Sequence, residues 1–386
     1  MVNSPFSFKP LALPATLEPL RQEVRDFLAD ASSNWSGWKI GHSWTGFDRD
    51  FSREVGRRGW IGMTWPKQYG GHERSGLERY VVVEEMLALG APLGAHWFGD
   101  RQSGPLLLRM GSEEQRMRFL PLIAKGEASF CIGLSEPDSG SDLASLRSRA
   151  SRVEGGWRLN GRKVWTTNGH LCDFMIGLFR TGASAEERHK GLSQFLIDMR
   201  SSGIEVRPIY DLTGEAHFNE VTFQDVFVPD DMIIGGEGDG WSQATAELAF
   251  ERSQPDRYMS SYPLLPLAID AIRTEGANDR FAQRRIGEAV AQLAVLREMS
   301  LSILGQLQDG HSPAKEAALV KELGNTHEQR IPELVRELLD SAPSVAAGDK
   351  LSELQGFLVQ NVPSFSLRGG TREILRGIIA KGLGLR

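Results

Sequence analysis

Apolar and polar positions alternate with one period at the two ends of the chain and with another in its middle. Near the start, Leu20, Val24 and Phe27 fall on one helical stripe within Leu17 to Leu28. Tyr80 to Leu89 and Ser112 to Ala124 repeat that pattern, and Ser112-Glu113-Glu114-Gln115 has the form of a capping box. Trp65 to Gly71 between them is rich in turn residues. From about residue 131 the period drops to two. Trp157 to Trp165 reads as a hairpin turning at Asn160-Gly161. Phe174 to Phe179, Gln194 to Ile197 and Glu220 to Phe223 read as further strands, and Val228-Pro229-Asp230-Asp231 ends this part. From about residue 236 the helical period returns, in Arg284 to Leu307, Ala314 to Leu323, Pro332 to Leu339 and Thr371 to Leu383. The expected fold is mainly α with a central β unit: a helical domain over 1–130, a β domain over 131–235 and a four-helix-bundle-like domain over 236–386.

Composition narrows the function without naming it. A chain of 386 residues can hold two or three packed units. Its 40% hydrophobic and 24% charged content is that of a soluble globular protein. A net charge of −6 argues against a nucleic-acid partner. No apolar run reaches the roughly 20 residues that span a bilayer, and neither terminus carries a secretory, lipidation or peroxisomal signal. Cys131 and Cys172 lack metal-ligand spacing, so no metal is expected. They read as buried small hydrophobes in a reducing cytoplasm.

Two segments carry the chemistry. Ser135-Glu136-Pro137-Asp138-Ser139-Gly140-Ser141-Asp142 is a loop able to present main-chain N–H groups and hydroxyls to phosphate oxygens or a heteroaromatic edge. Lys163-Val164-Trp165-Thr166-Thr167-Asn168-Gly169 follows on a predicted strand, where Trp165 can stack on a ring and Thr167 can donate to it. Either alone is compatible with a surface turn or a core tryptophan. Together, in a β unit between helical units, they suit a planar, phosphate-bearing cofactor.

These segments resemble the two signatures of the acyl-CoA dehydrogenase family. Gly369-Gly370-Thr371-Arg372-Glu373-Ile374-Leu375-Arg376 provides a third match, and Phe218 to Pro229 and Gly238-Asp239-Gly240-Trp241 fit the connecting pieces. The resemblance covers most of the chain and weakens between about 260 and 360. It implies FAD bound in the β unit and dehydrogenation of an acyl-CoA, which would enter between that unit and the helices. It assigns Ile132, Leu134, Ser135, Ser141, Trp165, Thr166, Thr167, Thr371 and Glu373 to the cofactor. Ser141, Arg252 and Gly370 fall to the substrate, and the main chain of Gly369 to the thioester carbonyl. An electron-transfer flavoprotein is the implied electron acceptor.

Removing an α-proton from a thioester requires a partly desolvated carboxylate. Many family members place it directly before the Gly-Thr of the last segment, where this chain has Gly369. A second family arrangement sets a glutamate directly before an arginine on the first helix of the C-terminal part, and Glu251-Arg252 matches it. Glu247, one helical turn earlier, competes with Glu251. Pro255 is expected either to kink that helix and widen the acyl pocket or merely to mark its end. The aromatics of His96 to Arg101 fall where the family closes the pocket floor.

The family's homotetramers also lend an arginine in Arg-x-x-Phe-Gly and a Gln-x-x-Gly-Gly-x-Gly loop to a neighbour's FAD. Neither pattern occurs in Ala271 to Phe281 or in Ser341 to Gly348. The resemblance therefore extends to the glutamate-bearing subunit of bacterial heterotetramers that degrade steroid side chains, with an unlike acyl-CoA dehydrogenase-type subunit as partner and a bulky, steroid-derived acyl group as substrate. Two rivals stay open: other flavin chemistry on the same fold, such as a monooxygenase or desulfinase, and a non-catalytic structural subunit.

Overall fold

A computed structural model describes residues 5–182, 188–274, 279–339, 343, 344, 346 and 348–385, and the backbone alone for 246–251. Helices α1 (Glu18–Ala31), α2 (Gly37–His42), α3 (Arg49–Arg57), α4 (Gly76–Ala88), α5 (Gly104–Met110) and α6 (Glu113–Ala124) come first. Strands β1 (Phe130–Gly133), β2 (Arg149–Val153), β3 (Gly156–Thr167), β4 (Phe174–Arg180), β5 (Leu192–Asp198), β6 (Ile204–Ile209), β7 (Phe218–Pro229) and β8 (Ile233–Ile234) follow. Helices α7 (Gly240–Glu251), α8 (Leu264–Thr274), α9 (Arg280–Gln308), α10 (Ala314–Leu338), α11 (Lys350–Asn361) and α12 (Arg372–Gly382) close the chain. The expected architecture of helices, a β unit and helices is what the chain adopts.

The contacts divide the chain into two units that cut across this linear order. One comprises Met1–Trp44, Ser75–Pro92 and Ala249–Arg386; the other comprises Thr45–Arg74 and Leu93–Leu248. In the first, α10 packs against α8, α9, α11 and α12. Glu84 and Glu85 on α4 are buried and satisfied by Arg297 and by Arg21 and Arg25 respectively. Buried carboxylates need such partners, because removing them from water uncompensated costs several kcal/mol.

The second unit is built on a sheet with strand order β6-β7-β3-β2-β4-β5-β8, and β1 adds parallel to β4. Trp157, Leu159, Phe179, Phe195, Val221 and Phe223 form its core. The capping box at Ser112 and Gln115 is present, and Gln115 also donates to the carbonyls of Asp231 and Ile233. Its helices thus gain their ends from residues legible in sequence.

Three expectations need correction. Asn160-Gly161 is not a hairpin turn. β3 runs through it, and the β2–β3 hairpin turns at Glu154-Gly155 instead. Gly161, at φ 143°, marks a register shift against β7, and a Cβ there would lie 2.2 Å from the Ser148 hydroxyl. An Asn-Gly pair inside a long strand therefore made a bulge. Of the two readings of Pro255, the kink fails and the helix end holds. α7 ends at Glu251, and Pro255 opens a separate 3-10 turn over Pro255–Arg257, where its missing N–H costs nothing. Pro332 does not start a helix either; it lies inside α10, which is continuous over the segments read as two.

Candidate functional site

The two signature segments are one physical object. Glu136 sits in the loop after β1, and its carboxylate accepts from the Arg147 N–H at 2.6 Å, the Ser148 N–H at 2.9 Å and Lys163 Nζ at 2.8 Å. Lys163 projects from β3 into the interior with no exposed side-chain surface, and it also donates to the Leu134 carbonyl at 3.3 Å. The Val164 N–H donates to the Ser135 carbonyl at 2.9 Å. The loop is therefore clasped to the strand by one buried ion pair and two main-chain acceptors. Within it, Glu136 and Ser139 bridge through their backbones, and the Ser139 hydroxyl donates to the Asp142 carbonyl at 2.8 Å.

The charges of this clasp are set by burial against pairing. Burial pushes the Glu136 carboxyl up, but Lys163 and the two N–H donors outweigh it and hold it below its ordinary value. Burial lowers Lys163 from 10.5 to about 8 despite Glu136. At the lysine burial outweighs pairing, whereas at the carboxylate the three donors together outweigh burial.

Trp165 stands out of this clasped strand. β3 shifts register against β7 between Lys163 and Thr166, and Trp165 takes a left-handed φ of 62°. That conformation is uncommon for a bulky residue and costs roughly 1–2 kcal/mol. Its indole is 59% exposed, touching Phe218 edge-on at 5.9 Å between ring centroids. A strained bulge that turns a flat aromatic outward is a mark of a ligand site. Thr166 points the other way. It is fully buried, and its hydroxyl has no partner among the described residues. Thr167 is half-buried, as are Ile132, Leu134 and Ser135, while Ser141 is exposed. The outward indole, on a strand clasped to the hydroxyl-bearing loop, fits a planar, phosphate-bearing group.

His96 to Arg101 serves packing in the same unit. His96 Nδ1 lies 2.8 Å from the Ser52 hydroxyl, Asp100 accepts from the Gly62 N–H at 2.8 Å, and Trp97 is buried. Cys131 and Cys172 are both free and buried, as expected. Burial and the neighbouring Cys172 push the Cys131 thiol up, so it is an inert thiol.

The other expected site residues lie in the first unit. Gly369 and Gly370 both take positive φ, 65° and 102°, immediately before α12. Thr371 caps that helix, its hydroxyl accepting from the Ile374 N–H at 3.5 Å, and Glu373 is exposed in the first turn. Arg252 is buried and donates from Nε to the Gly369 carbonyl at 3.4 Å. The end of α7 is thereby held beside the Gly369 turn. The side chains of Glu247 and Glu251 lie outside the described residues.

Sequence reading passed over the charges behind this turn. Arg257, Lys321 and Glu328 are fully or almost fully buried, and Arg368 donates to Glu328 at 3.1 Å. The signal was present in the spacing: Lys321, Gly324 and Glu328 share the helical face of buried Ala317. Lys163 likewise has the inward parity of Trp157 and Leu159 along β3.

Family models match over the chain's length: the acyl-CoA dehydrogenase N-terminal domain at 14–127, the middle domain at 131–226 and the C-terminal domain at 238–384. The chain is 32% identical to acyl-CoA dehydrogenase IpdE1 of Mycobacterium tuberculosis, covering 95% of this chain and 96% of that one. Among solved structures it resembles the Tcur3481-Tcur3483 steroid ACAD, with 27% identity and a TM-score of 0.87 over 97% of this chain and 99% of that one. It also resembles the ChsE4-ChsE5 complex from Mycobacterium tuberculosis, with 26% identity and a TM-score of 0.85 over 98% and 100%.

Proposed function

The chain belongs to the acyl-CoA dehydrogenase family, and on that premise we propose that it dehydrogenates a bulky, steroid-derived acyl-CoA as the glutamate-bearing subunit of a heterotetramer. Dehydrogenation of an acyl-CoA with FAD is the family's chemistry. When bound, FAD supplies the two-electron acceptor that takes the β-hydrogen. Trp165, Thr166, Thr167 and the Ile132 to Ser141 loop would hold it, with Thr371 and Glu373 contributing from α12.

Glu251 is the proposed base for the α-proton. One observation carries this: position 369 has no side chain, and Arg252, the residue after Glu251, reaches the Gly369 carbonyl at 3.4 Å. The end of α7 thus arrives at the turn whose carboxylate is missing. The Gly369 N–H would then hold the thioester carbonyl as enolate-like charge develops, a contribution typically worth a few kcal/mol. Ser141, Arg252 and Gly370 would line the substrate.

The unlike partner is proposed because the segments that homotetrameric members lend to a neighbour's cofactor lack their arginine and paired glycines here. The structures named after two chains support that assembly. Two free, buried thiols support a cytoplasmic enzyme; no helix among the described residues is long and apolar enough to cross a membrane. Electrons would leave to an electron-transfer flavoprotein. The test is co-expression with acyl-CoA dehydrogenase-type genes of the same operon, followed by a flavin count and a screen of acyl-CoA substrates. A fully flavinated, active oligomer of this chain alone would overturn the heteromeric reading.

A further inference from the structure

The Gly369 turn rests on a guanidinium. A Cβ placed on Gly369 would lie 3.2 Å from Arg257 Cζ, 3.4 Å from its Nη2 and 3.3 Å from Lys321 Cε. Arg257 is only 1% exposed, and its charge is paired at the far edge, where Nε meets Asp256 Oδ2 at 3.1 Å. The Nη2 edge is the one turned toward the glycine. Further cations flank the same three residues: Arg252 on the Gly369 carbonyl, and Arg368, whose guanidinium lies over Phe365 and Trp44. Two carboxylates answer them, Asp256 beside Arg257 and Glu328 beneath Arg368.

Lys321 faces the cluster from α10, donating to Asn325 and to the Phe365 carbonyl. Burial, with Arg257 and Arg368 nearby, pushes its ammonium well below its ordinary range. Among the described side chains, three arginines, which stay charged, therefore outnumber two carboxylates around the turn, with the Glu251 side chain outside that count. Close packing keeps this arrangement in place: a Cβ on Gly324 of α10 would meet the Arg257 carbonyl at 2.3 Å. A buried charge cluster of this kind is costly to fold and needs a reason.

We propose that Arg257 is a positioning residue for proton abstraction, its guanidinium filling the space a side chain at 369 would take and making the Gly369 turn electropositive where the thioester's enolate-like charge forms. This rests on the reading of Gly369 as the thioester-binding turn. Arg257 touches neither substrate nor cofactor in this account; it acts through the turn. A field fixed in a low-dielectric interior stabilises charge far better than one in water, because nothing reorganises as the charge appears. One corollary concerns the missing base. A carboxylate introduced at 369 would meet Arg257 directly, and would be held ionised as its ion-pair partner. Loss of the carboxylate and burial of this cation form a single exchange that one substitution does not reverse.

The decisive measurement is the acidity of a bound ligand. 3-Thiaoctanoyl-CoA carries sulfur in place of the β-methylene, so it cannot be dehydrogenated, but its α-proton can ionise. Its bound pKa is read from long-wavelength absorbance against pH in the flavinated, fully assembled enzyme. Arg257→Gln is expected to raise that pKa by about one unit, with kcat falling about tenfold and KM changing little. Arg257→Lys keeps the charge and is expected to restore most of the acidity. Asp256→Asn removes the counter-charge and is expected to shift the pKa the opposite way. A purely structural role would weaken ionisation in both Arg257→Gln and Asp256→Asn.

An unchanged ligand pKa in Arg257→Gln overturns the proposal, as does Asp256→Asn shifting in the same direction. If Arg257→Gln does not assemble, Asp256→Asn and Arg257→Lys decide by the sign and the rescue. If the ligand binds the unaltered enzyme but never ionises, the thioester-binding reading itself fails, a result distinct from ionisation that ignores residue 257. Recovery of turnover by Gly369→Glu in a Glu251→Gln background would overturn the corollary and the proposal together.

Discussion

The loop–strand clasp around Trp165 and the turn at Gly369, the two parts of the proposed site, are built by opposite means. In the clasp, a single ion pair, Lys163 with Glu136, and main-chain hydrogen bonds fix the backbone, and the strain is spent on turning one indole outward. At the turn, two positive-φ glycines leave the backbone bare, and the control lies behind it in Arg257, Lys321, Arg368 and their carboxylates. On the proposed reading, the clasp recognises by shape and the turn stabilises by its field. Recognition can be assembled from about thirty-five consecutive residues. The field needs residues from 252, 257, 321, 328 and 368, brought together only by folding.

The largest expected effect tests the side of the comparison that does chemistry. Glu251→Gln should lower kcat by about 10³-fold, within the usual range for loss of a positioned general base, while flavin content stays unchanged. Rapid mixing with substrate and following flavin bleaching separates these two quantities. Activity largely intact would favour flavin chemistry that needs no carboxylate base. It would also break the assignment of proton abstraction to the first unit.

The next largest tests the clasp. Lys163→Met strands the Glu136 carboxylate in the interior and should cost about 3 kcal/mol in urea unfolding, as broken buried pairs do. Flavin should be lost with it, because the loop carrying Ser135 and Ser141 is no longer pinned. Adding Glu136→Gln should return part of that stability, since the stranded charge is what is expensive. If the double variant is no better than the single, the pair is not the clasp.

This contrast also explains what the sequence disclosed. The signature segments and the capping box at Ser112 are local, so their residue types and spacing carried them. The two segments that form the clasp were legible for the same reason, down to Trp165. Asn160-Gly161 misled because a turn-type dipeptide and a bulge use the same backbone freedom, and only the partner strand β7 decides between them. Pro332 misled because a long, packed helix tolerates one proline that an isolated segment would not. The buried cluster behind Gly369 was visible only as charged residues on an apolar helical face. Periodicity flags such residues as anomalies but does not say which of them meet.

A smaller effect sharpens the recognition side. Trp165→Ala should weaken flavin binding by roughly 1 kcal/mol, the scale of one aromatic contact beyond area burial. It should also relieve the left-handed backbone only slightly, since alanine too disfavours φ of 62°. Trp165→Gly should be more stable than Trp165→Ala in the flavin-free protein, because only glycine takes that conformation without strain. Equal stabilities would mean the bulge relaxes without the indole, and the strain would no longer mark a site.

The last expected effect is a slope in pH, and it separates burial from pairing within the clasp. Glu136 titrates below its ordinary value in the folded chain. Its contribution to stability is therefore complete above about pH 4.5 and is lost as pH falls through the lower, folded value. Lys163 titrates at about 8 instead of 10.5, so between those values the unfolded chain binds more protons than the folded one. Stability attributable to Lys163 must then rise with pH across that window, even as the ion pair loses its charge. Urea unfolding of the unaltered chain and of Lys163→Met across pH 8 to 10.5 reads this as a difference that grows in favour of the lysine. A difference that shrinks instead would place the lysine's folded pKa above its ordinary value. Pairing with Glu136 would then outweigh burial, and the clasp would be governed by a field, as the Gly369 turn is.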